Sequence, residues 1–147
     1  MFRKILYPTD FSKVANKALD YIVKLKEAGA DEVVLIHVVE NYDLELMVTA
    51  CEWKSNNPEK CINKVEFDLR KKSMKKLKEL GEKIGLKYKI VLEFGKPFSK
   101  IVKTAEDENV SLIVMGSHGK GEFEELLVGS VTENVIRHTK KPVLVVR

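Results

Sequence analysis

Val114-Met115-Gly116-Ser117-His118-Gly119, followed after nine intervening residues by Gly129-Ser130, is the stretch on which the reading of this chain turns. The apolar run 112–115 has the length of a buried strand, and a glycine directly behind it lets a ligand approach the backbone with no Cβ in the way. Gly129-Ser130 then opens a helix. The exposed N–H groups of a helix start, with the positive end of the helix dipole, form a ready site for an anion such as phosphate. In an open α/β sheet such a turn lies beyond the carboxyl ends of the strands, where ligands bind at the point of strand-order reversal.

Working outward, strand and helix signals alternate from end to end. Residues 4–7 make a first strand stopped by Pro8, and Asp10 or Ser12 can cap the following helix. In that helix Ala15, Ala18, Leu19, Ile22 and Leu25 form a stripe at helical spacing, and Gly29 marks its end. A second strand spans 32–39 with a continuous apolar centre that suits burial on both faces. A third spans 88–92, and Gly95-Lys96-Pro97 leads into a helix over 99–107. The fourth strand covers 111–115, the last helix includes 131–138, and the fifth strand covers 142–146. The expectation is an α/β fold: an open five-stranded parallel sheet with helices on both faces, Rossmann-like.

Residues 40–60 break the pattern. Asn41, Asp43 and Ser55-Asn56-Asn57-Pro58 interrupt scattered apolar residues, so an irregular or partly helical excursion is expected, with a short helix around 44–51 and too little apolar pattern to order itself. A long helix is then expected over 62–84, ended by Gly85. With 147 residues, 33% of them charged, the chain suits one well-packed core, and 1–147 is read as a single domain.

The longest apolar runs, 33–36 and 143–146, are too short to cross a bilayer, and the N-terminus begins a strand rather than a signal segment. A cytoplasmic protein with no membrane partner is expected. The net charge is +4, with Arg70-Lys71-Lys72, Lys75-Lys76 and Lys78 crowded on the long helix. Glu66, Asp68, Glu79 and Glu82 interleave with them and no aromatic platform accompanies them, so this is read as a solvated face, with no nucleic-acid partner. Cys51 and Cys61 match neither a redox nor a zinc spacing. Free thiols are the expectation, with a bridge that closes a short loop as the alternative.

Better-known phosphate loops do not fit. Gly119-Lys120-Gly121 begins like a dinucleotide fingerprint, but Glu124 stands where its third glycine belongs, and no G-x-x-x-x-G-K-[ST] occurs. Instead, Lys4-Ile5-Leu6-Tyr7-Pro8-Thr9-Asp10-Phe11-Ser12, His37-Val38, Met115-Gly116-Ser117-His118-Gly119, Gly129-Ser130-Val131-Thr132-Glu133-Asn134-Val135 and Lys141-Pro142-Val143-Leu144-Val145-Val146 resemble the universal stress protein family in its ATP-binding subgroup. The resemblance covers the chain outside 40–60 and is strongest in the final third, where the pattern G-x-x-G-x₉-G-[ST] is matched. It implies the adenine nucleotide alpha hydrolase-like variety of the fold and ATP with Mg or Mn as cofactor. The short apolar fifth strand, placed at a sheet edge, predicts a homodimer through it, and the resemblance points the same way; a regulatory role would add a protein partner not identified by the sequence.

Residue by residue, the resemblance implies that Gly116, Gly119, Gly129 and Ser130 cradle ribose and phosphates, within the run that includes Met115, Ser117 and His118. Val131 and Thr132 would supply further backbone donors. Pro8, Thr9 and Asp10 would lie near the ribose and the phosphate-bound metal, and Val38 would meet the adenine edge through its backbone. No catalytic residue and no metal ligand set is singled out.

Simpler roles stand beside these. Gly116 can merely end a strand, Gly129 permit a turn, and Ser130 or Asp10 cap a helix. His118 is read as shaping the loop or facing solvent rather than as a base, because no carboxylate is positioned to orient it. His37 is read as a hydrogen-bonded core histidine, and His138 suits the dipole at a helix end. Three functions remain: an ATP-dependent regulatory or stress-response module, a slow ATPase or nucleotide-activating enzyme of the same fold, and a nucleotide-free structural dimer.

Overall fold

A computed structural model describes residues 1–118 and 128–147. Gly119 and the Gly119-Lys120-Gly121 stretch lie outside the described residues. In chain order the elements are β1 (Lys4–Pro8), α1 (Lys13–Glu27), β2 (Glu32–Glu40), α2 (Asn41–Lys54), α3 (Pro58–Ile84), β3 (Lys87–Gly95), α4 (Pro97–Asp107), β4 (Leu112–Gly116), α5 (Ser130–His138) and β5 (Val143–Val146). The five strands form one sheet in the order β3-β2-β1-β4-β5, and every pairing is parallel, with Ile5 opposite Val33 on one side and Leu112 on the other.

A parallel sheet must be covered on both faces, because its crossovers are helices and its strands are apolar on both sides. Alternate residues of the same strands accordingly feed two cores. Ile5, Tyr7, Val33, Leu35 and Val114 pack with Ala18 and Ile22 of α1 and Leu77 of α3. Leu6, Val34, Ile36, Ile113 and Met115 pack with Ile101 and Ala105 of α4 and Val135 of α5. The sheet layer and its two helical layers are those expected from the alternation of apolar strands and striped helices.

Local signals explain where the helices begin. Ser12, not Asp10, caps α1: its hydroxyl accepts from Ala15 N at 3.2 Å, while Asp10 Oδ1 accepts from Ser12 N at 2.9 Å. Asn57 caps α3 by accepting from Lys60 N at 3.2 Å, with Pro58 as the first helical residue. At the other end of α3, Gly85 takes a left-handed φ of +73° that few other residues would tolerate.

The largest departure from expectation is 40–60. It is more fully helical than expected: the short helix expected around 44–51 is part of α2, which runs for 14 residues, α3 starts at Pro58 rather than at 62, and a three-residue turn (55–57) joins them. The periodicity of α2 is uninformative because it offers no apolar stripe; Cys51 is its one buried residue, while Tyr42, Leu46 and Trp53 are exposed. The free-thiol expectation is also overturned. Cys51 and Cys61 form a disulfide that staples the C-terminal turn of α2 to the first turn of α3, with their Cα atoms 5.7 Å apart. No described helix is long and apolar enough to cross a membrane.

Candidate functional site

From β1 the chain builds outward through β2 and β3, then returns to lay β4 and β5 on the opposite side, so strand order reverses between β1 and β4. A cleft of about 680 Å³ opens at the carboxyl ends of these strands. Its size is that of a small-molecule or cofactor site, and its position is where such sheets hold ligands.

The turn after β1 forms its floor. Tyr7 is fully buried and donates its hydroxyl to Ala15 O at 2.7 Å, tying the strand to α1. Burial pushes the Tyr7 hydroxyl up to about 12, with the nearby Asp10 charge acting in the same direction and a hydrogen bond with Thr9 opposing it. Thr9 N donates to Ile36 O at 2.9 Å, and Phe11 N donates to Thr9 Oγ1 at 3.0 Å. This tight turn holds Phe11 at a left-handed φ of +65°. Its ring lies against His37, with centroids 4.5 Å apart. His37 Nδ1 is 2.8 Å from Thr9 O; because a carbonyl can only accept, Nδ1 carries the proton. His37 is hydrogen-bonded as expected, but it is half-buried and lines the cleft rather than sitting in the core.

Among the described residues, three hydrogen bonds tie the turn after β4 to its neighbours, and a fourth contact lies within it. Ser117 N donates to Val146 O at 2.7 Å, Gly129 N to Ser117 O at 2.6 Å and Thr132 Oγ1 to Gly116 O at 2.8 Å. Ser117 Oγ and His118 Nδ1 lie 3.1 Å apart. The reason for glycine at 116 differs from the one expected. A Cβ there would sit 2.8 Å from Val14 Cγ1 and 3.1 Å from Val14 C, so glycine is required first by the close approach of α1. Gly129, with φ −75°, has an ordinary backbone angle that demands no glycine. It is the N-cap of α5, and it offers no side chain to cap that helix. The first-turn N–H groups of any helix lack intrahelical acceptors, and here that turn opens on the cleft through Ser130, Val131 and Thr132.

Of the residues named from sequence, Pro8, Thr9, Asp10, Val38, Met115, Gly116, His118, Gly129, Ser130, Val131 and Thr132 all line this one space. Ser117 is buried behind the turn, and Gly119 lies outside the described residues. Sequence reasoning missed the opposite wall: Asp43, Leu46 and Met47 of α2, and Leu69, Lys72, Ser73 and Lys76 of α3. The α3 residues follow an i, i+3, i+4, i+7 spacing, which marks one helical face. That spacing was the available signal, hidden because its lysines sit in a run of solvated charge.

The universal stress protein family model matches residues 1–147. The chain belongs to the universal stress protein family. Universal stress protein MJ0577 of Methanocaldococcus jannaschii is 41% identical over 155 residues, covering 100% of this chain and 96% of that one. The solved structure of MJ0577 superposes with a TM-score of 0.83 at 41% identity over 99% of this chain and 96% of that chain. Universal stress protein YxiE of Bacillus subtilis is 32% identical and both chains are covered in full. Two more distant solved structures, each 18% identical, share the fold. One is a universal stress protein in complex with cAMP (TM-score 0.63; 99% of this chain, 97% of that one). The other is the Archaeoglobus fulgidus protein in complex with dAMP (TM-score 0.56; 100% and 98%).

Proposed function

We propose that the cleft binds ATP with Mg or Mn, and that this universal stress protein acts as a nucleotide-dependent regulatory module in the stress response. The observation that carries the reading is the start of α5: a helix N-terminus without a side-chain cap, opening on a ligand-sized cleft at the sheet's switch point. Its first turn, with the Gly116 turn beside it, receives the phosphates. Asp10 and its neighbours Pro8 and Thr9 meet the ribose side, and the backbone at Val38 meets adenine. Two structures of the same fold are complexes with the adenine nucleotides cAMP and dAMP, which supports adenine as the base.

The magnitudes are adequate. Hydrogen bonds to a charged phosphate contribute roughly 1.5–3 kcal/mol each, so three or four of them sustain micromolar affinity, about −8 kcal/mol, after ordering costs. Among the described residues, no cluster of three or more His, Cys, Asp or Glu could hold a metal unaided. Mg-type ions are held by one or two carboxylates together with phosphate oxygens. The carboxylate of Asp10, at the cleft floor, therefore fits an ion that arrives with the ligand and offsets its charge.

Mass spectrometry of the small molecule released on denaturing the gently purified protein is expected to find ATP. Calorimetry is then expected to show Mg-ATP binding that Gly129→Val weakens at least tenfold, roughly the worth of one charged hydrogen bond; the backbone angle at 129 accommodates valine, so lost space rather than strain is what the variant reports. Unchanged affinity in the folded variant would remove α5 from the site. Single-turnover assays separate a regulator from a slow ATPase, because only the latter releases phosphate from bound ATP. Strand β5, at one edge of the sheet, is the proposed homodimer contact, since an uncovered edge strand offers pairing groups to a second copy. Sedimentation is expected to give a dimer at micromolar concentration that Val145→Lys shifts to monomer, and a wild-type monomer would end that part of the reading.

A further inference from the structure

The α3 wall of the cleft carries chemistry that the roles above leave unused. Ser73 lines the cleft and is only 4% exposed. Among the described residues its hydroxyl makes no hydrogen bond. Two other helical hydroxyls find acceptors, Thr49 donating to Glu45 O at 2.9 Å and Thr132 to Gly116 O; the buried Thr104 of α4 makes no such bond among the described residues either, but unlike Ser73 it does not line the cleft. A buried hydroxyl with no partner is costly, and one at the face of a cavity is poised for a ligand atom.

Two cations flank it. Lys72 and Lys76 line the same space, and neither forms an ion pair among the described residues. Lys76 Nζ lies 4.9 Å from the centroid of the Phe11 ring. That contact attracts the ammonium without supplying a hydrogen-bond acceptor, so its donors remain available. Asp10, Glu40 and Asp43 also line the cleft, and the two lysines are what makes this wall receptive to an anion.

We propose that Ser73, Lys76 and Lys72 form a second anion subsite, on α3, which receives a phosphoryl group of the bound ligand. The identity of the remaining ligand rests on the nucleotide reading, but the subsite does not. The phosphoryl group has two possible sources: the far end of a 5′ polyphosphate chain, or a phosphate on the 2′ or 3′ position of the ribose. Either would bring phosphate oxygens to a wall that carries one hydroxyl donor and two ammonium groups.

Calorimetry on the full chain tests this with adenosine, AMP, ATP, adenosine 2′,5′- and 3′,5′-bisphosphate, and tripolyphosphate, which has no base. Lys76→Gln and Ser73→Ala are the variants, chosen because each is compatible with helix and neither enlarges a side chain. Lys76→Gln is expected to weaken the ligand that reaches the subsite by about tenfold, the scale of a charge-assisted hydrogen bond, and Ser73→Ala by less, with adenosine unaffected by either. A loss for ATP and tripolyphosphate but not AMP assigns the subsite to the 5′ chain; a loss confined to the bisphosphates assigns it to the ribose phosphate. If tripolyphosphate binds with Lys76 dependence while no adenine compound binds, the subsite stands and the nucleotide reading falls. If ATP binds and no phosphorylated probe responds to either variant, or adenosine is weakened equally, the subsite is overturned and the nucleotide reading survives. Absence of binding by every probe overturns both.

Discussion

The two walls of the cleft are built in different ways. On the β4–α5 side the wall is a turn and a helix start whose backbone is tied down, with Ser117 N bonded to Val146 O, Gly129 N to Ser117 O and the Thr132 hydroxyl to Gly116 O. On the α2–α3 side it is side chains, carried on two helices joined by a short turn and the Cys51–Cys61 disulfide. A backbone wall fixes where charge can sit but cannot change without disturbing strand ends and α1. A side-chain wall can be altered residue by residue while the helices stay in place, so variation in ligand preference between members of this family is expected there.

The sharpest break of that contrast comes from Gly116→Val. The added side chain starts 2.8 Å from Val14 Cγ1 and 3.1 Å from the Val14 carbonyl carbon, and the backbone of α1 must move. Overpacking of this kind costs about 3 kcal/mol. Chemical denaturation is expected to show that loss, whereas Lys72→Gln or Lys76→Gln on the other wall is expected to change stability by about 0.5 kcal/mol or less. A Gly116→Val protein of wild-type stability would mean that the backbone wall is not the rigid one.

Reducing the disulfide attacks the other wall. Closing a loop between residues ten apart in sequence is worth about 2–3 kcal/mol in the chain-entropy account. Unfolding in dithiothreitol, or of a Cys51→Ser/Cys61→Ser variant, is expected to lose up to that amount. Hydrogen exchange is expected to accelerate in α2 and the first turns of α3 and to leave β4 and α5 unchanged. Equal acceleration on both walls would show that they are mechanically one unit.

The floor shared by both walls has a pH signature. Tyr7 is raised from its ordinary value of 10.0 to about 12 by burial, so the folded state holds its proton after the unfolded chain has begun to release it. The contribution is fully present below pH 10 and is lost as pH rises toward 12, about 2 kcal/mol across that window. Tyr7→Phe removes the bond to Ala15 O, costing about 1 kcal/mol at neutral pH, and flattens the alkaline loss. A wild-type stability that does not fall between pH 10 and 12 would contradict the burial argument.

The same contrast governs what could be read from sequence. β1, β4 and the start of α5 were legible because continuous apolar runs ending in Pro8 or Gly116 are local signals of parallel strands and their turns. α2 was legible only as a short helix around 44–51, since Tyr42, Leu46 and Trp53 are exposed and only Cys51 is buried; a helix held by a tether and a turn leaves no apolar stripe. The bridge itself needs Cys51 and Cys61 brought together by a helix reversal, which spacing alone does not reveal. Lys72 and Lys76 were read as solvated because the crossing of α3 over the strand ends is a tertiary fact. Even Gly116 was found for an incomplete reason: the cavity is beside it, but the atoms that exclude a side chain belong to α1.

The smallest expected effect concerns whether α2 responds to ligand at all. A segment with so little apolar pattern of its own, leaving β2 just after Val38, is one that a bound nucleotide could order in part. With α2 already helical, the remaining freedom is its position over the cleft, where Asp43, Leu46 and Met47 line the ligand space. The N-terminus of α2 continues directly from β2 and its C-terminal turn is stapled to α3. In the oxidised protein Mg-ATP is therefore expected to shift the emission of Trp53, 84% exposed on this helix, by only a small amount. Cleavage by trypsin at Lys54 and Lys60, both exposed beside the turn, is expected to change little. Reduction removes one of the two anchors, and a ligand that favours the closed arrangement then has something to select. The emission shift and the protection from trypsin are expected to grow in the reduced protein and to vanish in reduced Gly129→Val. Identical responses with and without the disulfide would show that the bridge does not restrain α2 against the cleft, and no response in either state would make α2 a passive wall.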